Sequence, residues 1–167
     1  ISTSSRRPER CNRLSSTEFS GRDSPVTDLD TVESILSNLE GYLAKLSALA
    51  GYSQDDFLRD FTKVESAKHL LQVSIECCLD VAHHVIADEG YRTAKGNYDA
   101  FVVLNEERVL PDDFMPVLRQ MVSFRNRVVH LYWNVDDAIV YDIVQHNLGD
   151  FKIFAGHILR FVRKQAE

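Results

Sequence analysis

The chain has 167 residues, with 25 acidic against 19 basic side chains and a net charge of −6 when histidines are neutral. That length supports one domain with a real core and gives no reason to expect two. The acidic balance argues against a broad basic surface laid on nucleic acid, so any RNA site has to be a local patch of Lys and Arg.

Residues 1 to about 26 are rich in Ser, Thr and Arg, contain Pro8 and Pro25, and have no apolar periodicity. This N-terminal extension is expected to be disordered, ahead of a helical domain spanning 27–167. The first helix is announced by Thr27 or Asp28 as cap, and Val32, Leu36, Leu39, Leu43 and Leu46 recur at four-three spacing on one stripe. Gly51 ends it. A second helix is predicted from near Ser53 to about Asp88, with Phe57, Phe61, Val64, Leu71, Ile75, Cys78, Ala82 and Val85 in the same rhythm, broken only by Lys68. At about 1.5 Å per residue it would be about 50 Å long, the spine of a bundle.

Adjacent Cys77 and Cys78 fall inside this helix, where they are expected to pack as small, reduced apolar side chains. With Cys11 they have no paired spacing of the kind metal fingers need. Cys77, Asp80 and His84 share a helix face beside His83, a set too small and too mixed to specify an ion. No run of about 18 apolar residues occurs, so no membrane span is expected. A cytoplasmic protein without disulfides follows.

A polar connector from Glu89 leads to Asn97 as the expected cap of a short helix, whose Tyr98, Phe101 and Leu104 read as core. Leu110-Pro111-Asp112-Asp113 stops that helix and caps the next, with Pro116 in its first turn. Asp136 and Asp137 cap the last helix, in which Val140, Val144, Asn147, Phe151, Phe154, Ile158 and Phe161 repeat the four-three stripe. No strand-like alternation intervenes. The fold class is all-α: an antiparallel bundle of four to five helices with no sheet.

The chemistry concentrates in Ser123-Phe124-Arg125-Asn126-Arg127-Val128-Val129-His130-Leu131-Tyr132-Trp133. Imidazoles as a class titrate near neutrality, which suits His130 to general acid or base work. Arg125 presents a cationic fork of donors that matches phosphate oxygens, and Asn126 can orient either group. RNA carries its own nucleophile, the 2′-hydroxyl, beside every phosphodiester, so a base plus a cation is a sufficient minimal kit for cutting it without a metal. Arg119, Arg125 and Arg127, with Arg92 and Lys95, are the candidates for a local RNA-binding patch.

Helical geometry places Asn126 and His130 on one face, whereas Arg125 and His130, five residues apart, point about 140° away from each other. Three solutions are open: the helix deforms or ends between them, the long Arg125 side chain reaches round, or a second copy faces the first across a dimer interface. A helix end combined with a dimer is the expectation. One residue at a time, an Arg, a His and a Tyr near a helix terminus also fit a cationic C-cap and a packed ring.

Arg125-Asn126, His130 and Tyr132 form an R-x4-H-x-Y pattern that resembles the HepT-like ribonuclease toxins of the HEPN superfamily. Leu118, Met121 and Val129 extend the match to L-x-x-M-x-x-x-R-N-x-x-V-H-x-Y, and Val135-Asp136 follow it. The segments Asp80 to Ile86 and Tyr98 to Leu104 also look like the family's helices, so the resemblance covers roughly residues 28 to 165. Trp133 and the N-terminal extension depart from it. The resemblance implies a metal-independent endoribonuclease acting as a homodimer on an RNA substrate, with Arg125 and His130 catalytic and Asn126 their polar companion, and no cofactor. It also implies a cognate minimal nucleotidyltransferase antitoxin that silences the toxin by adding AMP to Tyr132, placing negative charge where an RNA phosphate should sit. Two other readings compete with it: a non-catalytic helical module that binds a nucleotide or the nucleotidyltransferase, and a metalloenzyme on the Cys77/Asp80/His84 face.

Overall fold

The computed structural model describes residues 28–131 and 135–165. The expectations for the N-terminal extension, Tyr132 and Trp133 lie outside the described residues. Helix α1 (Leu29–Leu49) begins at Asp28, whose carboxylate accepts from the backbone N–H groups of Asp30 and Thr31 and so satisfies donors that the first turn leaves open. All five residues of its expected stripe are buried.

The long second helix is in fact two. Ser53 caps α2 (Gln54–Arg59) and Asp60 caps α3 (Phe61–Asp88). Asp60 takes an extended conformation, with φ −109° and ψ 97°, and its carboxylate accepts from the Thr62 N–H while pairing with Lys63. A short acidic side chain that can bond its own downstream backbone competes with helix continuation, which is why the break falls there. The break resets the helical phase and leaves Phe61 75% exposed instead of in the core. Lys68, the one interruption of the stripe, is buried and reaches Asp137 at 2.8 Å and Glu65 at 3.2 Å, tying α3 to the first residue of the later helix Asp137–His146.

Helix α3 is the spine: it packs most extensively on α1 and also on the later helices Asn97–Glu106 (α4), Met115–His130 (α5) and Asp137–His146 (α6), while Leu148–Gln165 (α7) closes against α1. By length and composition alone α3 could cross a membrane, although it holds no unbroken apolar run; more than half of its most apolar stretch is buried within the bundle. Cys77 and Cys78 are buried free thiols, both pushed up in pKa by burial.

Just past the end of α3, Gly90 turns the chain with φ 67°; the Tyr91 N–H donates to the Ile86 carbonyl and that of Gly90 to Ala87. Helix α4 (Asn97–Glu106) ends the same way, Val109 donating to Leu104 and Arg108 to Asn105. There, however, the left-handed position, φ 63°, is held by Arg108. A side chain at such a position costs about 1–2 kcal/mol. At its start, α4 is capped by the extended backbone of Gly96 with no side-chain bond; Asn97 is its first helical residue and not its cap.

A short 3-10 turn, Asp112–Phe114, leads into α5 (Met115–His130) with Pro116 at its beginning. Asp136 then caps α6 (Asp137–His146) through the Ala138 N–H, and α7 (Leu148–Gln165) follows. The expected single last helix breaks at exposed Asn147, whose amide donates to Asp150 at 3.2 Å. Past that break Val162 is buried, and Phe161 only half-buried. Phe101 of α4 meets Phe154 of α7 edge-on, centroids 5.7 Å apart, at the middle of the core. Among the described residues there are seven α-helices and no strand, an all-α bundle whose two extra helices come from the breaks at Asp60 and Asn147.

Candidate active site

Helix α5 is amphipathic: Leu118, Met121, Val122 and Val128 face the core, which leaves Ser123, Asn126, Arg127 and His130 exposed. The helix runs unbroken from Arg125 through His130 and ends immediately afterwards, the Leu131 N–H donating to the Arg127 carbonyl at 2.8 Å. The expectation that the helix ends between Arg125 and His130 is therefore incorrect. The β-branched pair Val128-Val129 is accommodated because Val128 is driven into the core, and burial outweighs its small helix penalty.

His130 and Asn126, one turn apart, line an open groove of about 460 Å³ together with Arg119, Arg127 and Tyr98. The Arg119 guanidinium sits 4.3 Å from the centre of the Tyr98 ring, a cation over an aromatic face that fixes a long side chain at the groove wall. Tyr98 is half-buried, so its role is to carry Arg119 as much as to fill the core. Among the described residues no carboxylate lines this groove.

Arg125 does not line it. Its side chain turns toward α3, where Nε and one terminal nitrogen donate to Glu76 Oε1 at 3.3 and 3.2 Å; another terminal nitrogen is 3.4 Å from Asn126 Oδ1. Glu76 Oε1 also accepts from Gln72 Nε2 at 3.0 Å. Charge-assisted, partly buried bonds of this kind hold a guanidinium in one orientation. Asn126 is the bridge between the two faces, touching Arg125 and facing the same groove as His130.

Sequence reasoning missed Glu76 and Gln72. The available signal was a polar pair four residues apart within an apolar helix. Of the remaining patch candidates, Arg92 is neutralised: it forms ion pairs with Asp99 at 2.8 Å and Glu106 at 2.7 Å, and its hydrogen bond holds the Asp99 carboxyl at about 2. Lys95 is exposed away from the groove. The Cys77/Asp80/His84 face does not assemble. Asp80 is exposed to solvent, and His84 Nε2 lies 3.2 Å from the Asp88 carboxylate, short of hydrogen-bond geometry. Asp88 in turn accepts from the Asp28 N–H, joining the end of α3 to the start of α1. Among the described residues no group of three His, Cys, Asp or Glu side chains is placed to hold a metal ion.

Fold and site together define a class: a helical bundle that carries an arginine-histidine motif on one helix, with the histidine exposed in a groove and the arginine held against a neighbouring helix. Residues 39–158 match the family described as Ribonuclease HepT-like, and the chain belongs to that family. It is 33% identical over 98 residues to the mRNA nuclease HepT of Shewanella oneidensis, an alignment covering 59% of this chain and 74% of that protein. With the tRNA nuclease HepT of Aphanizomenon flos-aquae it shares 24% identity over 127 residues, 76% of this chain and 86% of the relative. Among solved structures it resembles the tri-AMPylated Shewanella oneidensis HEPN toxin in complex with MNT antitoxin, with TM-score 0.73, 27% identity, and 78% of this chain and 98% of that one covered. YutE, a cytosolic protein of Bacillus subtilis, shares the fold at TM-score 0.72 and 20% identity over 84% of this chain and 94% of its own.

Proposed function

We propose that this chain is a metal-independent endoribonuclease, the toxin of a toxin-antitoxin pair, acting as a cytoplasmic homodimer. The observation that carries the reading is the groove on α5, where Asn126, His130, Arg119 and Arg127 converge with no competing carboxylate among the described residues. Family membership and the nuclease relatives support it.

In this mechanism His130 takes the proton of a 2′-hydroxyl, the 2′-oxygen attacks the adjacent phosphorus, and the 5′-oxygen leaves with a proton from solvent or from the second histidine of the dimer. The products carry a 2′,3′-cyclic phosphate and a 5′-hydroxyl. Arg125 stabilises the negative charge that builds on the phosphoryl oxygens, and Asn126 orients it. Since Arg125 and His130 point to different sides of an unbroken helix, one chain's Arg125 serves the other's His130, or the two sets frame one cleft. Exposed Val129 (40%) and Leu131 (45%) beside the motif offer the apolar margin such a dimer needs. The partner is a minimal nucleotidyltransferase antitoxin that adds AMP to Tyr132.

The test is cleavage of a mixed RNA pool by unmodified protein in excess chelator, with His130→Ala purified alongside. Cutting by wild type alone, sparing DNA and leaving cyclic phosphate ends, is the expected result. A requirement for magnesium refutes the mechanism. The Arg125-Glu76 ion pair favours one other reading, a non-catalytic module in which this arginine is purely structural. It predicts that clean dimeric protein leaves RNA intact while binding the nucleotidyltransferase.

A further inference from the structure

A second concave, cationic surface lies away from the motif. It is a groove of about 550 Å³ between the end of α4 and the last turns of α7, lined among others by Arg108, Arg160 and Lys164, with His157, Phe161 and Asp112. It shares no residue with the groove that holds His130. We propose that it is a binding site for the sugar-phosphate backbone of single-stranded RNA, an extension of the substrate path outside the cleavage centre. The proposal rests on RNA being the substrate.

Three observations carry it. First, Arg92 and Arg163 elsewhere in this acidic chain are paired to carboxylates. Arg108, Arg160 and Lys164 make no ion pair among the described residues, although they converge from two separate elements. Three cations gathered in one groove against a single carboxylate, Asp112, favour an anion there.

Second, Arg108 holds the left-handed position at the end of α4, φ 63°, where the same cap at the end of α3 uses Gly90 at φ 67°. Glycine adopts this conformation without penalty, so an arginine there gives up stability to place a guanidinium at the groove.

Third, the lining is mixed in a way that suits nucleotides. The cations match phosphates, the half-buried Phe161 and His157 rings offer faces for bases, and the Asp112 carboxylate can accept from a ribose hydroxyl or base N–H. An acidic protein segment would meet the same cations but brings no bases to stack on the Phe161 and His157 rings. Tyr98, in the motif groove, lies in the first turn of α4 and Arg108 two residues past its end, so the two grooves adjoin opposite ends of a helix about 15 Å long, a reach of a few nucleotides.

The experiment measures binding of a fluorescent single-stranded RNA by the full chain carrying His130→Ala, so that nothing is cut, over a salt series. It is repeated with Arg108→Gly and with the triple Arg108→Gly/Arg160→Gln/Lys164→Gln added, each checked by thermal melting. The triple variant is expected to bind on the order of tenfold or more weakly. Its plot of log affinity against log salt should be shallower by about 2, since each phosphate contact to a single strand contributes about 0.7. Arg108→Gly alone is expected to weaken binding while the melting temperature holds or rises. Unchanged RNA affinity and salt slope in a folded triple variant overturns the proposal. So does retained RNA affinity with lost binding to polyglutamate, which reassigns the groove to an acidic protein. Because cleavage is not the readout, failure of the wild-type chain to cut RNA would remove the ribonuclease mechanism and leave this binding result to be judged separately.

Discussion

Glu76→Ala is the most informative single change, because it isolates what the Arg125 ion pair does. The carboxylate takes two donors from Arg125, at 3.3 and 3.2 Å, with the two side chains 22% and 33% exposed. At that distance the gross Coulomb attraction is about 1 kcal/mol in bulk water and about 5 kcal/mol at the effective dielectric of a protein surface. Solvent screening and the entropy of ordering two long side chains bring the net contribution to stability to about 1 kcal/mol. For activity the quantity that matters is preorganisation. A freed Arg125 must be ordered anew in each turnover, at about 0.5–1.5 kcal/mol for a rotamer-rich side chain, which corresponds to a rate loss of about 2- to 13-fold. Initial-rate cleavage in chelator should show that loss in kcat more than in KM. Glu76→Gln, which keeps an acceptor, should fall between wild type and alanine. Faster cleavage by Glu76→Ala would refute this reasoning, because it would mean that Glu76 competes with the RNA phosphate for Arg125.

Phe154→Ala empties the middle of the core, where the ring is fully buried against Phe101. It should cost about 3–5 kcal/mol in denaturant unfolding, whereas Phe61→Ala, at a 75% exposed site, should stay within about 0.5 kcal/mol. Gly90→Ala forces a side chain into φ 67° and should cost about 1 kcal/mol by the same measurement; no loss would refute the assigned cap. The carboxyls of Asp99, held by Arg92, and Asp60, held by Lys63, sit at about 2 in the folded chain. A carboxyl depressed in the folded state stabilises it above the ordinary value of about 4 and loses that contribution as pH falls through the folded value. The unfolding midpoint should therefore drop between about pH 4 and pH 2, and Arg92→Ala should flatten the part due to Asp99. An unchanged slope in that variant would refute the pairing.

The helix faces and most of the caps were legible because both are local. Four-three spacing decides which residues can share a stripe, and α1 buries all five of its predicted residues. Asp28, Ser53 and Asp136 each cap through bonds to backbone two or three residues away. The same locality made Asn126 and His130 neighbours and separated them from Arg125, whatever the rest of the chain did.

What periodicity could not resolve were choices between competing local states. At Asp60 and Asn147 the apolar spacing did not distinguish a continuous helix from two, and the chain breaks where a short polar side chain bonds just downstream, to the Thr62 N–H and to Asp150. Phe61 was lost from the core and Val162 gained as a consequence. Only the tertiary structure brought Glu76 to Arg125 across 49 residues, Lys68 to Asp137, and Arg108 to Arg160 and Lys164. The sequence by itself determined the helical class, the stripe residues and the motif face, since those depend on contacts within a turn or two. The partner that orients Arg125 and the second cationic groove were decided by contacts between helices, whose geometry is set by how whole faces pack and has no periodic signature along the chain.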